Sequence, residues 1–153
     1  MLQKALQKGF TIVELLIVVV VVGVLAFLVF NAFSTVQNRS DDSQRQTDIT
    51  ALATQLEVYY RANNTYPAFS QIDSTEKAVV LLPDLNPDNL NAPGQGYSLQ
   101  GNASTNKNQY GYVTNPANCN GTAENPCTSF VLSFTKVSPS SGETNPILKN
   151  SLN

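Results

Sequence analysis

The side chains that could do chemistry in this 153-residue chain are few, and the commonest catalytic ones are missing. The sequence contains no histidine, which excludes acid–base catalysis by imidazole and removes the commonest metal ligand. Its two cysteines are too few for a structural zinc site built from this chain alone. No nucleophile stands beside a base, and no glycine-rich phosphate loop is present. The sequence therefore predicts a protein that is not an enzyme and needs no cofactor.

Glu14 is the most informative charged residue, because it lies inside a long apolar stretch. An ionised carboxylate within a membrane-spanning helix costs about 2.5–3.5 kcal/mol on insertion scales, and such groups are usually functional. One interpretation is that Glu14 lies near the membrane surface and extends into water. The other is a partner: if the chain were cut between Gly9 and Phe10, the new α-amino group of a neighbouring subunit could pair with Glu14. That pair would set the axial register between subunits.

The apolar stretch at residues 10–33 predicts a helix that crosses a membrane or packs among other helices. Its 24 residues include one charge, Glu14. As an α-helix they would be about 36 Å long, which is enough for a hydrocarbon core of about 30 Å. The preceding residues 1–9 carry Lys4 and Lys8 and no acid. By the positive-inside rule, this end stays in the cytoplasm and the bulk of the chain is exported.

A cleaved secretory signal is the alternative interpretation of this end of the chain. Two features argue against it: the apolar run is longer than the usual core of about 7–15 residues, and no small-residue cleavage site follows it. The small residue precedes the run instead, as Gly9. A monomeric surface receptor with a signal anchor is a further alternative, although an anchor needs none of Gly9, Phe10 and Glu14.

The stretch KGFTIVELLIVVVVVGVLA at residues 8–26 resembles the N-terminal signature of type IV pilins and of the related type II secretion pseudopilins. The resemblance implies that a prepilin peptidase removes residues 1–9 by cleavage between Gly9 and Phe10, and that Phe10 is then N-methylated. It also implies that Glu14 acts in assembly. The subunit would span the cytoplasmic membrane once, with its head outside the cytoplasm, and would then enter an extracellular filament.

The function implied by this resemblance is that of a structural subunit in a type IV pilus, which supports adhesion, motility or DNA uptake. Its partners would be further copies of the chain in a helical filament, minor pilins, the prepilin peptidase and the pilus assembly platform. A pseudopilin of a type II secretion or competence system is the alternative. Removal of residues 1–9 leaves 7 basic and 11 acidic residues, so the sequence predicts no direct binding of nucleic acid.

The predicted fold is α+β and pilin-like, with residues 34–153 forming the rest of a long helix and a globular head. No proline or glycine interrupts the chain between residue 34 and about residue 62, where two asparagines predict the helix end. A narrow apolar stripe at helical spacing would face the head. It consists of Ile49, Leu52, Ala53, Leu56 and either Tyr59 or Tyr60.

The remaining sequence predicts a short helix and a small antiparallel sheet that packs on the C-terminal half of the long helix. A capping box at residues 73–76 would open the short helix, and Pro83 would end it. Four strands are predicted at about residues 97–100, 109–114, 129–137 and 146–150. In the third, Phe130, Leu132 and Phe134 alternate with other residues, so one face can pack on the helix.

Cys119 and Cys127 flank a loop rich in asparagine, glycine and proline. Export from the cytoplasm favours a disulfide between them, and two free thiols are the alternative. Closing this loop would contribute about 2.5 kcal/mol to the free energy of unfolding in the chain-entropy account.

Asp84, Asn86 and Asp88 present oxygen atoms at alternate positions, as calcium-binding loops do. This stretch lacks the glycine in the middle of such a loop and the glutamate that closes it. The sequence therefore predicts a solvated turn and no metal, with a calcium site as the alternative interpretation.

Overall fold

The computed structural model describes residues 10–152, except for the side chains of residues 31 and 32. Helix α1 is followed by a short helix α2 and then by four strands. The bounds are Ile12–Asn63 for α1, Thr75–Leu81 for α2, Leu99–Gln100 for β1, Tyr110–Asn115 for β2, Ser129–Phe134 for β3 and Ile147–Asn150 for β4. Two turns of 3-10 helix lie at Phe69–Gln71 and Pro87–Leu90. This order confirms the predicted α+β, pilin-like fold.

Helix α1 ends where the sequence predicted. Asn63 is its last residue, and Asn64 adopts the left-handed conformation with a φ of 54°. Asparagine tolerates this conformation better than most residues because its short polar side chain bonds locally. The backbone N–H of Asn64 donates to the Tyr60 carbonyl at 2.7 Å, which satisfies one of the last carbonyl groups of the helix.

The chain divides after Gln37 into two compact units. In the first, every large apolar side chain that the structure describes is at least half exposed. Part of α1 is long and apolar enough to cross a membrane, and none of that part is buried. A helix that is apolar on all sides requires lipid or protein on all sides, so this unit is suited to a membrane or to a bundle of like helices.

The second unit, from Asn38 onward, contains the hydrophobic core. The predicted stripe on α1 is buried there, with Ile49, Leu52 and Leu56 fully inaccessible to solvent. Phe130 and Leu132 of β3 are buried in the same core, together with the remaining core residues of the sheet. Burial of these faces excludes water from the contact between helix and sheet and stabilises the head.

The sheet has the strand order β1-β2-β3-β4 and is mixed, so the prediction of a wholly antiparallel sheet was wrong. Strand β1 runs parallel to β2, with Leu99 opposite Tyr110, whereas the other two pairings are antiparallel. The parallel pairing is possible because β1 has only two residues, so the loop at residues 101–109 can return the chain to the same end of the sheet.

Gly111 in β2 permits the close approach of that loop. A side chain at this position would place its Cβ 2.2 Å from Ser133 Oγ, 2.5 Å from the Asn102 carbonyl and 2.6 Å from the Ser104 nitrogen. Ser104 fixes the loop, since its N–H donates to Ser133 Oγ at 2.8 Å. Only glycine leaves room for these contacts.

Strand β1 begins at Leu99 rather than near residue 97, and two further boundaries also differ from the prediction. Strand β3 ends at Phe134 rather than near residue 137, because the N–H groups of Val137 and Ser138 donate to a side chain of α1 instead of to a neighbouring strand. The cap of α2 is Ser74, whose Oγ accepts from the Lys77 N–H at 3.4 Å. Because Lys77 occupies the position that a capping box gives to a glutamate or glutamine, α2 has no reciprocal box.

Candidate assembly site and buried polar contacts of the head

The first turn of α1 holds Glu14 in a reciprocal hydrogen-bonded box with Thr11. The backbone N–H of Glu14 donates to Thr11 Oγ1 at 3.2 Å. In return, Glu14 Oε2 accepts from the Thr11 N–H and from its hydroxyl, each at 3.5 Å. The Leu15 N–H donates to the Thr11 carbonyl at 3.2 Å, so Thr11 is the residue from which the helix begins. This arrangement is a capping box.

The box places the Glu14 carboxylate at the positive end of the helix dipole, where a negative charge is favoured. Within the described residues, each hydrogen bond of this carboxylate uses Oε2, and the side chain is exposed. Its Oε1 can therefore accept from a donor outside this chain. Thr11 was not among the residues predicted for this site, although the spacing Thr-x-x-Glu ahead of an apolar run is the usual signal for such a cap.

Gly9 lies outside the described residues, and Phe10 is exposed where the described chain begins. Cleavage between them, N-methylation of Phe10 and pairing of Glu14 with a neighbour's amine all remain predictions. The structure adds one constraint: a new α-amino group on Phe10 would be four residues from Glu14, at the same end of α1.

A buried ion pair joins α1 to two loops of the head. Arg45 Nη1 donates to Asp42 Oδ1 at 2.8 Å, and both side chains are almost inaccessible to solvent. The Arg45 Nε donates to the Lys107 carbonyl at 2.9 Å. The Asp42 carboxylate also accepts from the N–H groups of Val137 and Ser138 at 2.8–3.1 Å. Each charge thus has the extra hydrogen bonds that a buried ion needs.

Asp48 lies about one turn beyond Arg45 on α1 and is also buried. Its two carboxylate oxygens accept from the Tyr110 hydroxyl at 2.7 Å and from Asn89 Nδ2 at 2.9 Å. Burial raises the pKa of Tyr110, and the hydrogen bond to Asp48 raises that pKa further. The polar segment of α1 therefore contacts the head through charged groups as well as through the apolar stripe.

Cys119 and Cys127 form a disulfide, as the sequence predicted. The Tyr66 N–H donates to the Cys127 carbonyl at 2.9 Å, and the Cys127 N–H donates to Thr65 Oγ1 at 2.8 Å. The disulfide loop is thereby bound to the segment that follows α1.

The calcium candidates Asp84, Asn86 and Asp88 lie on the surface. Asn86 Oδ1 accepts from the Asp88 N–H at 3.0 Å and so caps the turn at Pro87–Leu90. Among the described residues, no three histidine, cysteine or acidic side chains are grouped as a metal site would require. A capping role accounts for Asn86, and the calcium site stays an untested alternative.

Comparison with known proteins supports the sequence resemblance. Residues 4–30 match the family model described as the prokaryotic N-terminal methylation motif. The type II secretion system core protein G of Pectobacterium carotovorum subsp. carotovorum is 36% identical over 91 residues, which are 60% of this chain and 56% of that protein. The Pseudomonas aeruginosa protein of that name is 33% identical over 96 residues, which are 63% of this chain and 66% of the relative.

The Vibrio cholerae core protein G is 35% identical over 91 residues, 60% of each chain. The chain spans less than two thirds of the length of these curated relatives. No solved structure matches it. The chain carries a prepilin-type N-terminal methylation motif and is homologous to the type II secretion system core protein G, as expected of a type IV pilin-like protein.

Proposed function

We propose that this chain is a pseudopilin, a subunit that assembles through its apolar helix into the filament of a type II secretion system. The observation that carries the proposal is the 91-residue similarity to core protein G. The methylation motif occupies only residues 4–30, so the similarity extends well beyond the N-terminal signature. These relatives favour a secretion pseudopilin over the surface pilus predicted from the N-terminal resemblance.

The exposed apolar part of α1 supports assembly on physical grounds. Before assembly, lipid would surround these side chains in the cytoplasmic membrane. In a filament, the same helices from other copies would surround them. Because both environments are dry, extraction from the membrane exchanges lipid contacts for protein contacts and carries little hydrophobic driving force. Packing and polar pairing between helices must then decide whether a subunit enters the filament.

Glu14 is the polar group of this helix that can form such a pair with a neighbouring subunit. Its Oε2 faces Thr11 within the chain, and its Oε1 is left for the α-amino group of Phe10 in a neighbouring subunit. A charged hydrogen bond in a dry environment is short and strong, and a missing partner there is costly. The proposed role is mechanical and requires no catalytic group on this chain.

The proposed partners are further copies of the chain, other pseudopilins, a prepilin peptidase that removes residues 1–9, and the assembly machinery in the cytoplasmic membrane. A surface pilus remains the second candidate. The disulfide-closed loop between Cys119 and Cys127 favours it, because most side chains of that loop are exposed and available to an outside ligand.

Intact mass and N-terminal peptide mapping of the full chain, from both membrane-associated and sheared fractions, test the proposal. We expect a chain that starts at N-methylated Phe10, is confined to membrane-associated fibres and is absent from sheared material. The same processed chain in abundance in sheared filaments would favour the surface pilus. A chain that still begins at Met1 would contradict both the pseudopilin and the surface pilus. The monomeric receptor with a signal anchor would then be the remaining interpretation.

A further inference from the structure

Two grooves flank the last turns of α1 in the head. The first, here the β4 groove, has a volume of about 230 Å³ and lies between Val58 and Arg61 of α1 and Lys149 and Leu152 near the C-terminus. The second, here the α2 groove, has a volume of about 340 Å³. It lies between the same Val58 and the segment from Val80 to Asp84. The shared Val58 makes the two grooves parts of one continuous surface.

Three exposed aliphatic side chains line this surface. Val58 is 49% exposed, Val80 is 77% exposed and Leu152 is 81% exposed. In the described part of the head, only Val113, Val137 and Leu148 are further large aliphatic side chains with comparable exposure. An exposed apolar patch that is rimmed by polar residues is typical of a protein contact surface.

The β4 groove has a basic rim. Within residues 38–152, Arg45, Lys77 and Lys136 form ion pairs, whereas Arg61 and Lys149 form none. Glu57 also lines this groove, but its carboxylate is engaged: Oε1 accepts from the Leu152 N–H at 2.9 Å and Oε2 accepts from the Tyr66 hydroxyl at 3.0 Å. With two cations and one carboxylate, the described lining of the β4 groove carries a net charge of +1.

The α2 groove carries the opposite charge. Asp84 is the only charged residue among those that line it in the described structure, and its side chain is exposed. The two grooves are thus complementary in charge, and both have apolar walls.

We propose that the α2 groove of one copy docks against the β4 groove of the next copy, with Asp84 facing Arg61 and Lys149 and with Val80 covering Val58 and Leu152. The inference rests on the proposed function, because it names how heads contact one another in that filament. In the filament of the proposed function, the two grooves of one copy contact two different neighbours, so the contact proposed here is heterologous. A heterologous contact repeated from copy to copy builds a ring or an open helix, and an open helix is the form of a filament.

Variants of the full-length protein with reversed charges test this contact. Asp84→Lys or Lys149→Glu alone sets like charges against each other and is expected to lower the fibre-associated fraction about five-fold. The double variant restores opposite charges and is expected to recover assembly to within about two-fold of wild type. Glu124→Lys and Lys107→Glu are the matched controls, since they make the same charge changes on exposed residues that line neither groove.

A chemical cross-link gives a second measurement that does not depend on the strength of the ion pair. The variant with Asp84→Cys and Lys149→Cys is expected to form a ladder of linked subunits in the fibre fraction on non-reducing gels. Suppose that the wild-type protein forms fibres, that the single charge variants assemble like the controls and that the cysteine variant forms no ladder. These results would overturn the docking arrangement but not the proposed function. Wild-type protein that is never processed at Phe10 or found in fibres would overturn the proposed function instead.

Discussion

The guanidinium of Arg45 lies 2.8 Å from the carboxylate of Asp42, and both side chains are buried where α1 contacts the loops of the head. Each buried charge also has hydrogen-bond partners outside the pair. Arg45 donates to the Lys107 carbonyl, and Asp42 accepts from the backbone N–H groups of Val137 and Ser138. The pair thereby joins two distant loops of the chain to one turn of α1.

Replacing Arg45 with methionine should lower the free energy of unfolding of the head by about 3–5 kcal/mol, because it leaves Asp42 buried without its counter-ion. The measurement is denaturant unfolding of the detergent-solubilised full chain, followed by tyrosine fluorescence. Lys77→Met is the matched control. Lys77 and Asp73 also form an ion pair, but their side chains are 53% and 37% exposed. That control should cost about 0–1 kcal/mol, and equal losses in the two variants would contradict the argument.

Gly111→Ala should destabilise the head by about 1–3 kcal/mol, because the new Cβ overlaps atoms of the loop that crosses β2. Gly96→Ala is the control, since no atom lies within 4 Å of a Cβ at that position. The same denaturant experiment compares the two. A Gly111→Ala variant as stable as Gly96→Ala would show that the loop can move away at no cost.

Acidification should weaken the ion pair between Glu143 and Lys136. The hydrogen bond from Lys136, aided by one from the Ser140 N–H, lowers the pKa of Glu143 below its usual value. A carboxyl with a lowered folded-state pKa stabilises the fold above its unfolded pKa of about 4.3, and that stabilisation is lost as pH falls through the folded-state pKa. Glu143→Gln should therefore be less stable than wild type at pH 7 and no less stable near pH 3.

Thermal melting of both proteins from pH 7 to pH 3 measures this difference. Lys136→Met removes the donor and should show the same convergence with wild type on acidification. A stability gap that stays constant across the range would rule out the titration of Glu143 as its cause.

Glu14→Ala should permit cleavage and membrane insertion but lower the fibre-associated fraction at least about ten-fold, because a neighbour's amine would then lack its partner. Thr11→Val separates pairing from capping. It removes the hydroxyl that accepts from Glu14 N–H but keeps the carboxylate, so it should have the smaller effect of a lost cap. Normal fibre yield from Glu14→Ala would refute the pairing, and equal losses in both variants would assign the effect to the cap.

Local patterns in the sequence were sufficient for much of this fold. The apolar run, the absence of helix breakers before residue 63 and the stripe beginning at Ile49 predicted α1 and its buried face. Alternation at Phe130 and Leu132 predicted β3, and export of the chain predicted the disulfide. Thr11 could also have been found in this way, since its signal is a spacing of three residues to Glu14.

By itself, the sequence predicted which segments are helix or strand, which end is apolar enough to enter a membrane and a partner for Glu14, because each prediction depends on residues close together in the chain. Only the tertiary structure decided that Asp42, Arg45 and Asp48 are buried, since hydropathy places such residues at the surface. Their partners are up to 96 positions away in sequence. The parallel pairing of β1 and the two complementary grooves on α1 have the same origin, because pairing and grooves arise only where distant segments meet.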